Sequence, residues 1–192
     1  MNNCSLSQSW YIGGVGGVGC SRLSSYYVSD EKCDFSAFDK GFVGISMTRV
    51  SEKRSFQLGN DIRFTQLGSY GLSIGYFGLN SVARYSIGEK FKFEPFVGAS
   101  FGIPVSYFQS SEFAAVPTKT LDIAISFGMG IAYFLGDRMY IRCFFQRDAS
   151  LPYSAYVKTY SQTGGITEQG AKNRLSMIGL EIAFSIHKKT VN

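Results

Sequence analysis

One histidine, four cysteines, a glycine run and a scatter of charged side chains are the residues of this chain whose types could support chemistry. Nucleophilic catalysis needs a base within hydrogen-bond reach of the nucleophile and a third group to orient that base. His187 stands beside Lys188 and Lys189 near the C-terminus, so no Ser-His-Asp set can be drawn and no catalytic residue is assigned. Cys4, Cys20, Cys33 and Cys143 form no CxxC pair, and a lone histidine does not complete a metal site with them. No metal, no cofactor and no enzymatic activity are expected.

The run Gly14-Val15-Gly16-Gly17-Val18-Gly19 approaches a dinucleotide fingerprint. That fingerprint needs a helix directly after the glycines and an acidic residue about 20 positions on. Here Cys20-Ser21-Arg22 leads into a polar stretch, so the glycines read as strand positions of tight curvature or close approach. The formal charge of +5 comes from Lys and Arg scattered singly, without the basic stripe that nucleic acid requires. The remaining charges need an account from the elements that hold them.

A length of 192 residues fits one domain. Charged residues make up 17% and aromatics 16%, a balance lean in charge and rich in strand formers, which points to β structure with a wide apolar surface. No stretch reaches the roughly 18 apolar residues of a spanning helix, so a membrane could be crossed only by strands. Period-two alternation gives eight segments, roughly 10 to 20, 38 to 50, 55 to 67, 71 to 87, 91 to 107, 120 to 134, 139 to 147 and 174 to 187. The sixth is clearest: Leu121, Ile123, Ile125, Phe127, Met129, Ile131 and Tyr133 alternate with Asp122, Ala124, Ser126, Gly128, Gly130 and Ala132. Connections alternate in length. Short turns at 51 to 54, 88 to 90 and 136 to 138 are interleaved with mostly longer links at 21 to 37, 108 to 119 and 148 to 173, Gly68-Ser69-Tyr70 being the brief exception.

The residues opposite the apolar face decide which way it looks. They are largely Gly, Ala and Ser, which suit a crowded barrel interior, and the apolar set is therefore placed outside. The charges among them balance by sign: Arg63, Arg84, Lys92 and Arg142 against Asp61, Glu94, Asp122 and Glu181. Buried charges left unpaired cost several kcal/mol, so these eight are expected to form a paired network that plugs the lumen toward the short-turn half. Trp10, Tyr11, Phe56, Tyr85, Phe91, Tyr133 and Phe184 fall near the short-turn end, and Phe64, Tyr70, Tyr107, Phe145 and Tyr153 near the other, as two boundary girdles. The expected fold is all-β: an eight-stranded antiparallel up-and-down transmembrane β-barrel with short periplasmic turns and longer extracellular loops.

The pattern resembles the porin-family or PorT-like outer-membrane barrels common in Bacteroidetes, over nearly the whole chain. The likeness rests on the Gly-rich first strand, Lys40-Gly41-Phe42-Val43-Gly44, Arg84-Tyr85 and Phe96-Val97-Gly98. Its most telling part is Lys172-Asn173-Arg174 followed by Ile178-Gly179-Leu180-Glu181-Ile182-Ala183-Phe184, similar to that family's closing strand. Unlike it, the chain continues through Ser185 to Lys189. The resemblance implies location and fold, with secretion or surface assembly as roles of some members and no catalytic residue.

The expected organisation is an N-terminal extension over 1 to 9, the barrel over 10 to 187 and a basic periplasmic tail over 188 to 192, in the bacterial outer membrane after removal of an export signal. Outer-membrane lipids are the expected surroundings, with a protein partner in a secretion or surface assembly. A small-solute pore and a soluble lipocalin-like lipid carrier are the alternatives. Cys20 and Cys33 flank the first long loop and are candidates for a disulfide in an exported protein. Tyr153, Tyr156 and Tyr160 are candidates for loop recognition, since Tyr offers contact area at low entropy cost. Cys143 falls on the lipid-facing register as a small apolar residue.

Overall fold

The computed structural model describes residues 9–25, 40–51, 55–69, 72–109, 121–151, 155–160 and 166–186; of 22–25, 67–69, 72–73, 107–109, 155–160 and 166–173 it describes the backbone. Nine strands follow in order: β1 (Ser9–Ser25), β2 (Lys40–Val50), β3 (Phe56–Ser69), β4 (Leu72–Tyr85), β5 (Phe91–Gln109), β6 (Asp122–Leu135), β7 (Met139–Ser150), β8 (Ala155–Tyr160) and β9 (Ile166–Ile186). β1 to β7 pair antiparallel in chain order, β7 then pairs with β9 and β9 with β1, so these eight close a barrel, while β8 pairs with the first part of β9. No described helix is long and apolar enough to cross a membrane.

Two differences from the sequence reading concern boundaries. The first strand reaches Ser25 rather than residue 20, because beyond its last pairing with β2 at Gly19↔Lys40 it stays paired with β9, from Cys20↔Ser176 to Ser25↔Ala171. The span 148 to 173, read as a loop, holds β8 and the first part of β9. β8 pairs with Ile166–Ala171 on the edge of β9 that β7 leaves at Arg174, so the wall continues as a hairpin past the barrel proper. Period-two apolar patterning does not mark this stretch.

The short-turn end is built from local chemistry. Gly88 (φ 112°) and Gly136 (φ 68°) take the left-handed conformation that β-carbon-bearing residues avoid, and each reverses the chain within a few residues. In the third turn the Ser51 backbone N–H donates to the Phe56 carbonyl at 3.0 Å, and the Ser51 hydroxyl accepts from the Phe56 N–H at 3.3 Å.

Alternation sorts the side chains. Ile45 (67%), Phe91 (65%), Ile131 (58%) and Phe184 (57%) stand fully out, whereas Gln57, Glu94, Arg142 and Glu181 are almost completely buried. In a soluble protein this is inverted; in a membrane barrel the outer apolar wall meets acyl chains. Trp10, Phe56, Tyr85, Phe91 and Phe184 lie on the outer wall near the short turns, with Phe91 stacked on Tyr133 at 4.8 Å and the Arg49 guanidinium 5.8 Å from the Trp10 ring. Tyr11 departs from the expected girdle. It is 1% exposed and turns inward, because it sits on the same side of β1 as Val15, among Phe134 and Tyr140.

Candidate functional site

The barrel interior is where polar side chains converge, and it is built in tiers. Nearest the short turns, Tyr11, Phe134 and Tyr140 pack edge-on or tilted with ring centroids 5.2 to 6.2 Å apart. The Lys92 ammonium lies 5.1 Å from the Phe134 ring. The Tyr11 hydroxyl donates to the Asp137 carbonyl in the β6–β7 turn at 3.3 Å, which ties this floor to the turn below it.

Above the floor, four charged residues from β4, β5, β7 and β9 meet across the lumen. Glu181 Oε2 accepts from Arg84 Nη2 at 3.2 Å and from Arg142 Nη1 at 3.3 Å. Arg142 Nε also lies 3.1 Å from Glu94 Oε2. The remaining oxygens are served by neutral donors: Tyr140 and Thr48 donate to Glu181 Oε1, while Gln57 Nε2 (2.7 Å) and Ser86 (2.8 Å) donate to Glu94 Oε1. Two carboxylates and two guanidiniums therefore neutralise one another in a space from which water is nearly excluded, the condition under which buried charge is tolerated. Arg142 Nη2 has no hydrogen-bond acceptor; its guanidinium lies 4.8 Å from the Phe96 ring and 4.7 Å from Phe144.

Phe42, Phe96 and Phe144 form the next tier, with centroids 6.1 Å (Phe42–Phe144) and 6.4 Å (Phe96–Phe144) apart. Gly179 makes room for it: a β-carbon there would come within 2.6 Å of Phe42 Cζ. Val15, Val82 and Met177 belong to the same apolar cluster.

A second polar group sits toward the long-loop end. Arg63 Nη2 reaches Asp148 Oδ2 at 3.0 Å, and its Nε lies 3.6 Å from Asp61 Oδ1. Asn80 donates to Asp61 at 2.7 Å, Gln146 to Asp148 at 2.8 Å, and Ser100 to Asn80 at 2.9 Å. Arg63, Thr65, Tyr76, Ser100, Asp122 and Asp148 line a hollow of about 50 Å³, large enough and polar enough to admit water. Asp122 accepts from Ser150 at 3.1 Å at its edge.

All eight charged residues singled out from sequence are inward and buried, and six of them fall into two groups. Arg84, Glu94, Arg142 and Glu181 come together, as do Asp61 and Arg63, while Lys92 lies on the floor and Asp122 near the hollow. Sequence reasoning missed Asp148, Gln146, Asn80 and Tyr140. The signal for Asp148 was its parity with Arg142, lost by ending the seventh segment at 147. Cys20 is disulfide-bonded, whereas Cys33 and Cys4 lie outside the described residues. Cys143 is free and exposed on the outer wall. Tyr156 and Tyr160 lie on β8; Tyr153 and His187 are outside the described residues. Among the described residues no group of three His, Cys, Asp or Glu is placed to hold a metal.

No family model and no curated protein matches this chain. Among solved structures, the fold is similar to outer membrane protein OprG from Pseudomonas aeruginosa, with a TM-score of 0.58 and 9% identity over 95% of this chain and 97% of that one. It is also similar to outer membrane protein AlkL, determined in DMPC lipid bilayers, with a TM-score of 0.52 and 11% identity over 100% of this chain and 96% of that one. At such identities the likeness is one of fold. Together with its own apolar outer wall, it makes the chain an integral barrel of the bacterial outer membrane.

Proposed function

We propose that this barrel is a non-enzymatic, non-conducting outer-membrane protein whose work is done at its ends and outer wall, in a structural, surface-interaction or secretion-assembly role. The observation that carries this reading is the cross-lumen bridge of Arg84, Glu94, Arg142 and Glu181 beneath the Phe42, Phe96 and Phe144 rings. A solute moving along the axis would have to part four mutually neutralised charges and displace three phenyl rings. An eight-stranded barrel has an interior just wide enough for its own side chains, so no bypass is left. The Bacteroidetes-type, PorT-like affiliation suggested by the closing-strand residues belongs to the same reading. The eight charged residues serve here as a plug.

The surface role is supported by the hairpin of β8 and β9, which carries Tyr156 and Tyr160 past the barrel wall on the long-loop side. Such a projection offers its backbone edge to a partner outside the bilayer. Liposome swelling tests the closure. Vesicles containing the folded protein should swell no faster than protein-free vesicles in isotonic arabinose. Swelling comparable to that given by a general porin would replace this reading with the small-solute pore.

A further inference from the structure

We propose that Arg147 and Arg174 form a phosphate-binding site on the outer wall for the phosphorylated head group of an outer-leaflet glycolipid. The proposal rests on the outer-membrane placement of the barrel with its short turns inward. On the β1–β9–β7 face, apolar residues run without interruption on β9 from Ile186 through Phe184, Ile182, Leu180 and Ile178. Eight residue steps give about 27 Å of strand, or roughly 21 Å of height at a tilt near 40°, close to the apolar band of such barrels. The next outward positions are Ser176 and Arg174 on β9, with Arg147 directly opposite Ser176 on β7. Both arginines are exposed. The cations therefore begin where the acyl chains of the outer leaflet end.

Arg147 and Arg174 are diagonal neighbours across one antiparallel pair, where β-carbons lie roughly 7–8 Å apart and like charges repel. Neither has an ion-pair partner among the described residues. The register also puts Arg22 of β1 opposite Arg174. Among the described residues, no other charged side chain stands on the outer wall at this height. A planar guanidinium pairs bidentately with phosphate oxygens, and two converging on one dianion remove their mutual repulsion. The lipid whose phosphates sit at that height is a phosphorylated glucosamine lipid of the outer leaflet.

The test uses the full chain folded in detergent, with diphosphoryl lipid A and its dephosphorylated counterpart as probes and native mass spectrometry as readout. Diphosphoryl lipid A should be retained at least tenfold more strongly than the dephosphorylated lipid. Arg147→Gln with Arg174→Gln should abolish that preference, whereas Arg138→Gln, at the opposite end, should leave it intact. Arg147→Lys with Arg174→Lys should restore it in part, which separates the site from misfolding. Excess inorganic phosphate should not displace the lipid. Equal retention of the two lipids, an unaffected double Gln variant, displacement by inorganic phosphate, or preferential capture of an acidic peptide would each overturn the proposal. Retention of neither lipid would instead count against the membrane placement itself.

Discussion

Glu181→Gln removes one charge from the middle of the lumen without changing side-chain volume, and so isolates the electrostatic part of the bridge. Glu181 is 1% exposed and is the shared acceptor for Arg84 at 3.2 Å and Arg142 at 3.3 Å. After the substitution Arg142 keeps Glu94 at 3.1 Å, but Arg84 is left with Thr48 at 3.3 Å as its side-chain hydrogen-bond partner. Stranding a buried cation costs about 3–5 kcal/mol, and the retained amide oxygen places this variant toward the lower figure, about 3 kcal/mol. Arg84→Gln should cost less, about 1–2 kcal/mol, because Glu181 retains Arg142 as a charged partner. The double variant removes both charges and should be more stable than Glu181→Gln alone. The assay is urea unfolding in lipid vesicles, followed by Trp10 fluorescence and by the gel mobility difference between folded and heated barrel. Additive effects of the two substitutions, or a Glu181→Gln cost below about 1 kcal/mol, would refute the idea that these side chains form one buried unit.

Other outcomes follow from packing and from the outer wall. Gly179→Leu should destabilise by about 1–3 kcal/mol or block folding, since even a β-carbon there approaches Phe42 Cζ to 2.6 Å; refolding yield and urea midpoint report it. Ile131→Lys changes a residue that is 58% exposed, so in a water-soluble barrel it would be nearly neutral. Facing lipid one outward position from the Tyr133 boundary, it should cost about 1–2 kcal/mol in vesicle unfolding experiments. Trp10, the single tryptophan, should be quenched more by lipids brominated near the glycerol than near the chain terminus, and an absence of quenching would remove it from the bilayer boundary.

The parts of this structure that were legible in the sequence are those where one face is lipid-facing and the other small or charged. The alternation from Leu121 to Tyr133 and from Ile178 to Ile186 fixed both strand identity and the direction of each side chain, since outward positions must be apolar. Glu94, Arg142 and Glu181 were legible as inward charges for the same reason. The inward aromatics were not. Tyr11, Phe42, Phe96, Phe134, Tyr140 and Phe144 break the rule that the interior holds small residues, and Phe42, Phe96 and Phe144 find their room beside Gly17, Gly128 and Gly179 on neighbouring strands, a relation that depends on register. Register also divides the charges into a group around Glu181 and another around Arg63, because strand tilt sets which residues share a height. β8 escaped notice because beyond the bilayer neither face of a hairpin has to be apolar.

Single-channel recording in planar bilayers tests the closed lumen most directly. Wild-type protein, inserted and confirmed folded by gel mobility, should show no stable openings at either polarity, whereas Glu181→Gln with Arg84→Gln should admit brief, small-conductance events as the bridge is reduced to Arg142 and Glu94. Long-lived openings of the wild-type barrel would contradict the account.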